Sequence, residues 1–318
     1  ASIVHDQIAL ALIAQRDTGI NMEGVIATYR SLLSELYSDS LPLAQLMDTS
    51  DLILHAEGPA ARHHAAGSGA VAWLCGEAER RIRQLGMAAL KLTGESVNAA
   101  EKDLRILLNG LAPGSLYLGF SVDSAQRMAG NQGALHFEDL MPALDTVRDA
   151  VRALPSVPQF IGDESVRSGF AETIEDPVLR DATLMAAYHL CPTGKRGIHT
   201  VEISAPRSGK VMGSFTNRER VVLRESAVRA PLMRNTRSGS FVGELREVDL
   251  DARRFHLRDV PDIGSLRCVL GDLNAETARK LIGHGVRVSG DYEADAQGRP
   301  RLMRVESVEP YQIQASIT

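Results

Sequence analysis

The chain is short of the residue types that staple, span or stack. Its three cysteines, Cys75, Cys191 and Cys268, are an odd number at wide intervals, which fits neither a secreted disulfide framework nor a zinc ribbon. One tryptophan, six tyrosines and seven phenylalanines in 318 residues leave few rings for stacking on bases. The longest near-apolar runs, Ile8 to Ala14 and Gly69 to Cys75, fall well short of the about 18 residues that cross a bilayer. Ala1 to Asp6 lacks the basic and apolar regions of a secretory leader. The expectation is a cytoplasmic protein with no membrane partner.

Motifs of the common enzyme classes are missing as well. There is no Gly-x-Ser-x-Gly elbow, and Gly209-Lys210 lacks the first glycine and the Ser/Thr of a P-loop. His55, His63, His64 and Cys75, or His189, Cys191 and His199, can be gathered on paper, but neither spacing is that of a zinc site. No catalytic residue, metal or cofactor is assigned.

What is present is the composition of an ordinary globular protein, 44% apolar and 24% charged. The length suits two domains of roughly 100–200 residues each. Net charge is −5, and it is unevenly spread. Residues 1–194 carry 14 Lys plus Arg against 24 Asp plus Glu, 195–240 carry 10 against 3, and 241–318 carry 11 against 13. The middle segment is therefore strongly basic.

Periodicity divides the chain further. Val25, Tyr29, Leu32, Leu33 and Leu36 recur at three and four residues, predicting an amphipathic helix over 21–36, whereas Ile8 to Ala14 is ambiguous. A short strand over 51–55 precedes a helix over 68–92, with Val71, Leu74, Ile82, Leu85 and Leu90 inside and Arg80, Arg81 and Arg83 outside. Leu104 to Val122 reads as a hairpin, with turn dipeptides at Asn109-Gly110 and Pro113-Gly114 and with Leu104, Ile106 and Leu108 on the buried face. Helical spacing returns over 137–154, and Asp176-Pro177 signals the start of a helix that ends near Leu190. An alternating strand over 197–203 opens the basic segment.

The last 75 or so residues read as strands at 241–248, 254–258 and 265–269, a helix at 274–282, and strands at 286–292 and 301–308. Three strands, a helix and two strands is the order of a small OB-type barrel, with SH3-like barrels an alternative. The fold class is thus α+β: a mixed α/β domain over 1–194, a basic connector with one strand over 195–237, and a five-stranded OB- or SH3-like barrel over 238–318.

The hairpin string with Pro113-Gly114-Ser115, together with FVGELREVDLDARRFHLRDV (241–260) and VRVSGDYEADAQGRPRLMRVESVEP (286–310), resembles a loose group of uncharacterised bacterial proteins. These pair an α/β amino-terminal domain with a small carboxy-terminal barrel. The resemblance covers about 238–310 and, more weakly, 1–125. It implies architecture and carries no catalytic residues; the type of protein, rather than any residue, suggests work in bacterial defence against phage.

Two groups of residues are candidates for binding. In the connector, Arg207, Lys210, Arg218, Arg220, Arg224, Arg229, Arg234 and Arg237 are nearly all arginines, whose planar forks suit phosphate and carboxylate. Such a segment is a solvated or internally docked linker, a nucleic-acid or phosphate site, or a site for an acidic protein. In the barrel, if Phe255 and Leu257 point inward, Arg254, His256 and Arg258 point outward together, near Arg246 and Arg267. The expectation is a non-enzymatic binding or assembly protein that docks a partner subunit, a second copy or nucleic acid. The alternative is a metal-dependent hydrolase or nuclease whose acids and histidines converge only in the fold.

Overall fold

The computed structural model describes residues 2–37, 41–62, 66–93, 104–112, 116–124, 137–208, 212–270 and 279–311. Helices α1 (Ser2–Thr18) and α2 (Glu23–Glu35) pack together as a hairpin, and α3 (Pro42–Thr49) begins on a proline. The ambiguous run Ile8 to Ala14 is the middle of α1.

Strand β1 (Leu52–Glu57) is the centre of an antiparallel sheet of order β2-β3-β1-β4-β5, with β2 (Leu104–Ala112), β3 (Leu116–Ser124), β4 (Thr200–Ser204) and β5 (Met212–Phe215). Leu54 sits opposite Leu118 on one side and Ile203 on the other. The period of two then puts Leu52, Leu54, Ala56, Leu118, Phe120, Val201 and Ile203 on one face. Helices α4 (Ser68–Thr93), α5 (Phe137–Ala153) and α6 (Pro177–Leu190) lay Leu74, Ile82, Leu85, Val147, Val151, Leu184 and Ala187 against it. The sheet's other face is covered in part by α3, through Leu46 on Ile53 and Ala112.

Three local expectations are corrected. Asn109-Gly110 is a bulge inside β2, its side chain donating to Thr49 O and Ser50 Oγ. The turn at Pro113-Gly114 lies outside the described residues. Leu108, expected inside, is exposed, because β2 is the outer strand of the sheet and the bulge follows directly. Arg81, expected outside, is buried, held at both ends of its own turn by Glu77 and Gln84.

The basic segment joins the first sheet. It supplies β4 and β5 and then α7 (Asn217–Leu223), which opens with a capping box between Thr216 and Glu219 and runs on into a π-helical turn, Arg224–Val228.

Strands β6 (Thr236–Asp249), β7 (Arg254–Val260), β8 (Gly264–Val269), β9 (Gly285–Ala294) and β10 (Pro300–Pro310) close a barrel in the order β10-β8-β7-β6-β9. The first barrel strand lies between the second and fourth, and the third runs parallel to the fifth. Of the two barrels expected, this is the OB-type order. Leu245, Phe255, Leu257, Leu266, Cys268, Val286, Val288, Met303 and Val305 fill the interior. The helix expected at 274–282 falls largely outside the described residues.

Candidate anion-binding cleft

The seam between the two halves is built on α6. Asp176 caps the helix, its Oδ1 accepting from Leu179 N at 2.8 Å, and Pro177 takes the first helical position. Helical spacing then sets Arg180 one turn on from Asp176, with Asp181 beside it. Each meets the barrel. Asp176 lies 3.4 Å from Arg301 Nε, Arg180 pairs with Glu293, and Asp181 takes both Arg254 (2.5 Å) and Arg267 (2.7 Å).

Neither Arg180 nor Arg254 is left with idle donors. Arg180, fully buried, donates to Leu232 O, Ile174 O and Glu175 O, while Glu293 also accepts from Arg234 N. Arg254 donates to Val228 O, Ala252 O and Ala227 O, each at 2.6 Å. Buried guanidinium groups need this degree of pairing to be tolerated. Burial alone would raise the Asp181 pKa; the Arg254 and Arg267 charges overcome it and bring it down to about 2.

The connector arginines make contacts inside the chain. Arg218 pairs with Asp163 (2.6 Å) and Glu219, and Arg224 with Glu225. Arg220 donates to Tyr188 O and Cys191 O, with its guanidinium 4.1 Å above the Tyr188 ring. Arg207 reaches Asp48 O and lies 3.6 Å from Asp51, Arg229 pairs with Glu225, and Arg234 donates to Ala171 O. Arg237 is exposed on β6, and Lys210 lies outside the described residues.

Alternation on β7 is as expected, with Phe255 and Leu257 inside the barrel and Arg254, His256 and Arg258 on the other side. Their side is not open surface throughout. α6 covers Arg254, and the remainder of the row forms one wall of a cleft of about 780 Å³ between the barrel and α4 and α6. Among the described residues, six arginines line it, Arg81, Arg83, Arg254, Arg258, Arg267 and Arg301, with His256 and two acids, Asp249 and Asp259. Arg267 meets Asp181 through Nε, and the Nη2 of Arg301 is buried with no hydrogen-bond partner. A buried guanidinium donor without an acceptor is costly.

Sequence reasoning missed Arg81, Arg83 and Arg301 as part of this group, although Arg267 was placed near it. Helical spacing puts Arg81 and Arg83 on the outer face of a helix, and nothing in the sequence sets that face opposite the barrel. Nor was Asp181 legible as the acid on which two barrel arginines converge.

Elsewhere, His55 stacks on Tyr117 with ring centroids 4.0 Å apart; its Nδ1 is 2.8 Å from Glu202, and its buried Nε2 makes no hydrogen bond, with Glu57 Oε1 at 3.8 Å. His189, at the end of α6, is held at a pKa of about 3 by burial and then by Arg81, with Asp249 opposing. Burial raises the thiols of Cys75, Cys191 and Cys268, which disfavours the thiolate. Among the described residues no group of three or more His, Cys, Asp or Glu is placed to hold a metal ion, and no helix is long and apolar enough to cross a membrane.

Fold and cleft together define an α+β protein in which an antiparallel sheet with one helical face carries a closed five-stranded barrel, arginines lining the groove between them. No protein-family model matches the chain, and no curated protein matches its sequence.

Proposed function

We propose that the protein is a non-enzymatic binding protein that holds single-stranded nucleic acid by its phosphates in the cleft between the barrel and α4. The observation that carries this reading is the convergence of six arginines on one cleft with two acids in its described lining, five of the six also meeting an acid of the chain: Arg81 with Glu77, Arg83 with Glu79, Arg254 and Arg267 with Asp181, and Arg301 with Asp176. Arginine forks match phosphate oxygens bidentately. The wall concerned is the outer face of the second and third barrel strands, which OB-type barrels use for oligonucleotides. Within it, Arg254 is committed to Asp181 and acts as a brace; Arg83, which also meets Glu79 and donates to Leu104 O, and Arg258 line the groove.

The barrel's aromatic residues support one feature of the reading. Phe255 is inside the barrel, Phe241 and Tyr292 pack on its core, and Tyr311 lies under Arg287. With no ring but His256 lining the cleft among the described residues, recognition rests on phosphate rather than on stacking, so binding is tolerant of base sequence.

The test is fluorescence anisotropy with a labelled 20-nucleotide single strand, comparing the native chain with Arg83→Ala/Arg258→Ala. At least a tenfold weaker Kd in the double variant, with unchanged circular dichroism, is expected. Equal affinity of the two proteins, or binding of polyglutamate but not of the oligonucleotide, would overturn the reading.

A further inference from the structure

Helix α1 buries one residue of its 17, Ala11, although it contains Ile3, Val4, Ile8, Leu10, Leu12 and Ile13. α2 likewise buries only Ile26. The apolar stripe that marks α2 as amphipathic is turned partly away from the protein. Ile3, Leu10 and Ile13 are 74%, 57% and 47% exposed, and Val25 and Leu32 are 46% and 43% exposed. Ile3 and Leu10, like Val25 and Leu32, are seven residues apart, the spacing of a helix-packing seam. Most helical stability in proteins comes from packing an amphipathic face, and this face is left in water.

We propose that the partner is a second copy of this chain, the α1–α2 hairpins of two copies packing as an antiparallel four-helix bundle. Area favours it. The five seam residues leave on the order of 500 Å² of apolar side chain open per copy, so a symmetric pair buries about 1,000 Å² from these residues alone, the threshold for a specific interface. A lipid surface fits less well, because the hairpin's Arg16 and Arg30 are outnumbered by Asp6, Asp17, Glu23 and Glu35, whereas interfacial helices carry a basic polar face.

The experiment is light scattering behind size exclusion on the native chain and on Leu10→Glu/Leu32→Glu. The native mass should be twice 34.4 kDa, and the variant should elute as a monomer with unchanged circular dichroism. Should the variant misfold, Leu10→Cys takes its place: mild oxidation should give a disulfide-linked pair, and Asp262→Cys on the barrel should not. A monomeric native protein, a dimer unaltered by the double substitution, or equal crosslinking at both cysteine positions would overturn the proposal.

Discussion

The guanidinium of Arg254 lies across the carboxylate of Asp181, Nη2 at 2.5 Å from Oδ1 and Nε at 3.2 Å from Oδ2, with both side chains almost wholly buried. One residue comes from the barrel and the other from α6, so the pair joins the two halves of the molecule. It also fixes the cleft, since Arg254 is part of its wall. On the proposed function, arginine at this position acts on binding through geometry rather than by meeting the ligand.

Removing Asp181 leaves Arg254 buried without its counter-charge. Breaking a buried pair from one side costs about 3–5 kcal/mol. Asp181→Ala should lower the urea midpoint accordingly, with a larger loss than Arg267→Met, whose side chain keeps some access to solvent. Equal midpoints for Asp181→Ala and the native chain would show that the seam does not hold the halves together.

Acid should destabilise the protein in two stages. His189 takes a proton near pH 6.5 when unfolded and only near pH 3 when folded. The unfolded state then binds more protons, so stability falls by up to about 1.4 kcal/mol per pH unit as pH drops from 6.5 towards 3. Asp181, lowered from 3.8 to about 2, contributes stability above pH 4 that is lost between pH 4 and 2. His189→Leu should flatten the upper stage only, as read from urea midpoints at pH 7, 6, 5 and 4. A slope unchanged by that substitution would assign the upper stage to another group.

Gly119 lies under α3, and a Cβ there would come within 2.3 Å of Ser50 Oγ and 2.8 Å of Leu46 Cδ2. Both neighbours are buried, so neither can simply swing away. Gly119→Ala should cost about 1–3 kcal/mol through overpacking, measurable as a drop in Tm. An unchanged Tm would mean that α3 moves off the sheet at little cost.

The architecture was largely legible because its signals are local. Alternation around Phe255 and Leu257, the Asp176-Pro177 helix start and the turn residues between barrel strands each act within a few residues. Strand order is a long-range property, so the parallel contact of β8 with β10 was not. The site was less legible for the same reason. Arg81 and Arg83 are separated from Arg258 and Arg301 by more than 170 positions, and no periodicity encodes that meeting. The fate of the connector was hidden too: its surplus of arginine was plain, but the partners of Arg218 and Arg220, Asp163 and the carbonyls at the end of α6, emerge only in the fold.

The salt dependence of oligonucleotide binding tests the account most directly. Phosphates neutralised by arginine release counterions, and three or four such contacts to a single strand give a slope of about −2 to −3 in log K against log salt. Anisotropy titrations between 50 and 300 mM NaCl should return that slope for the native chain and a slope shallower by about 0.7 for Arg258→Ala. Affinity independent of salt, or no binding at 50 mM, would contradict it.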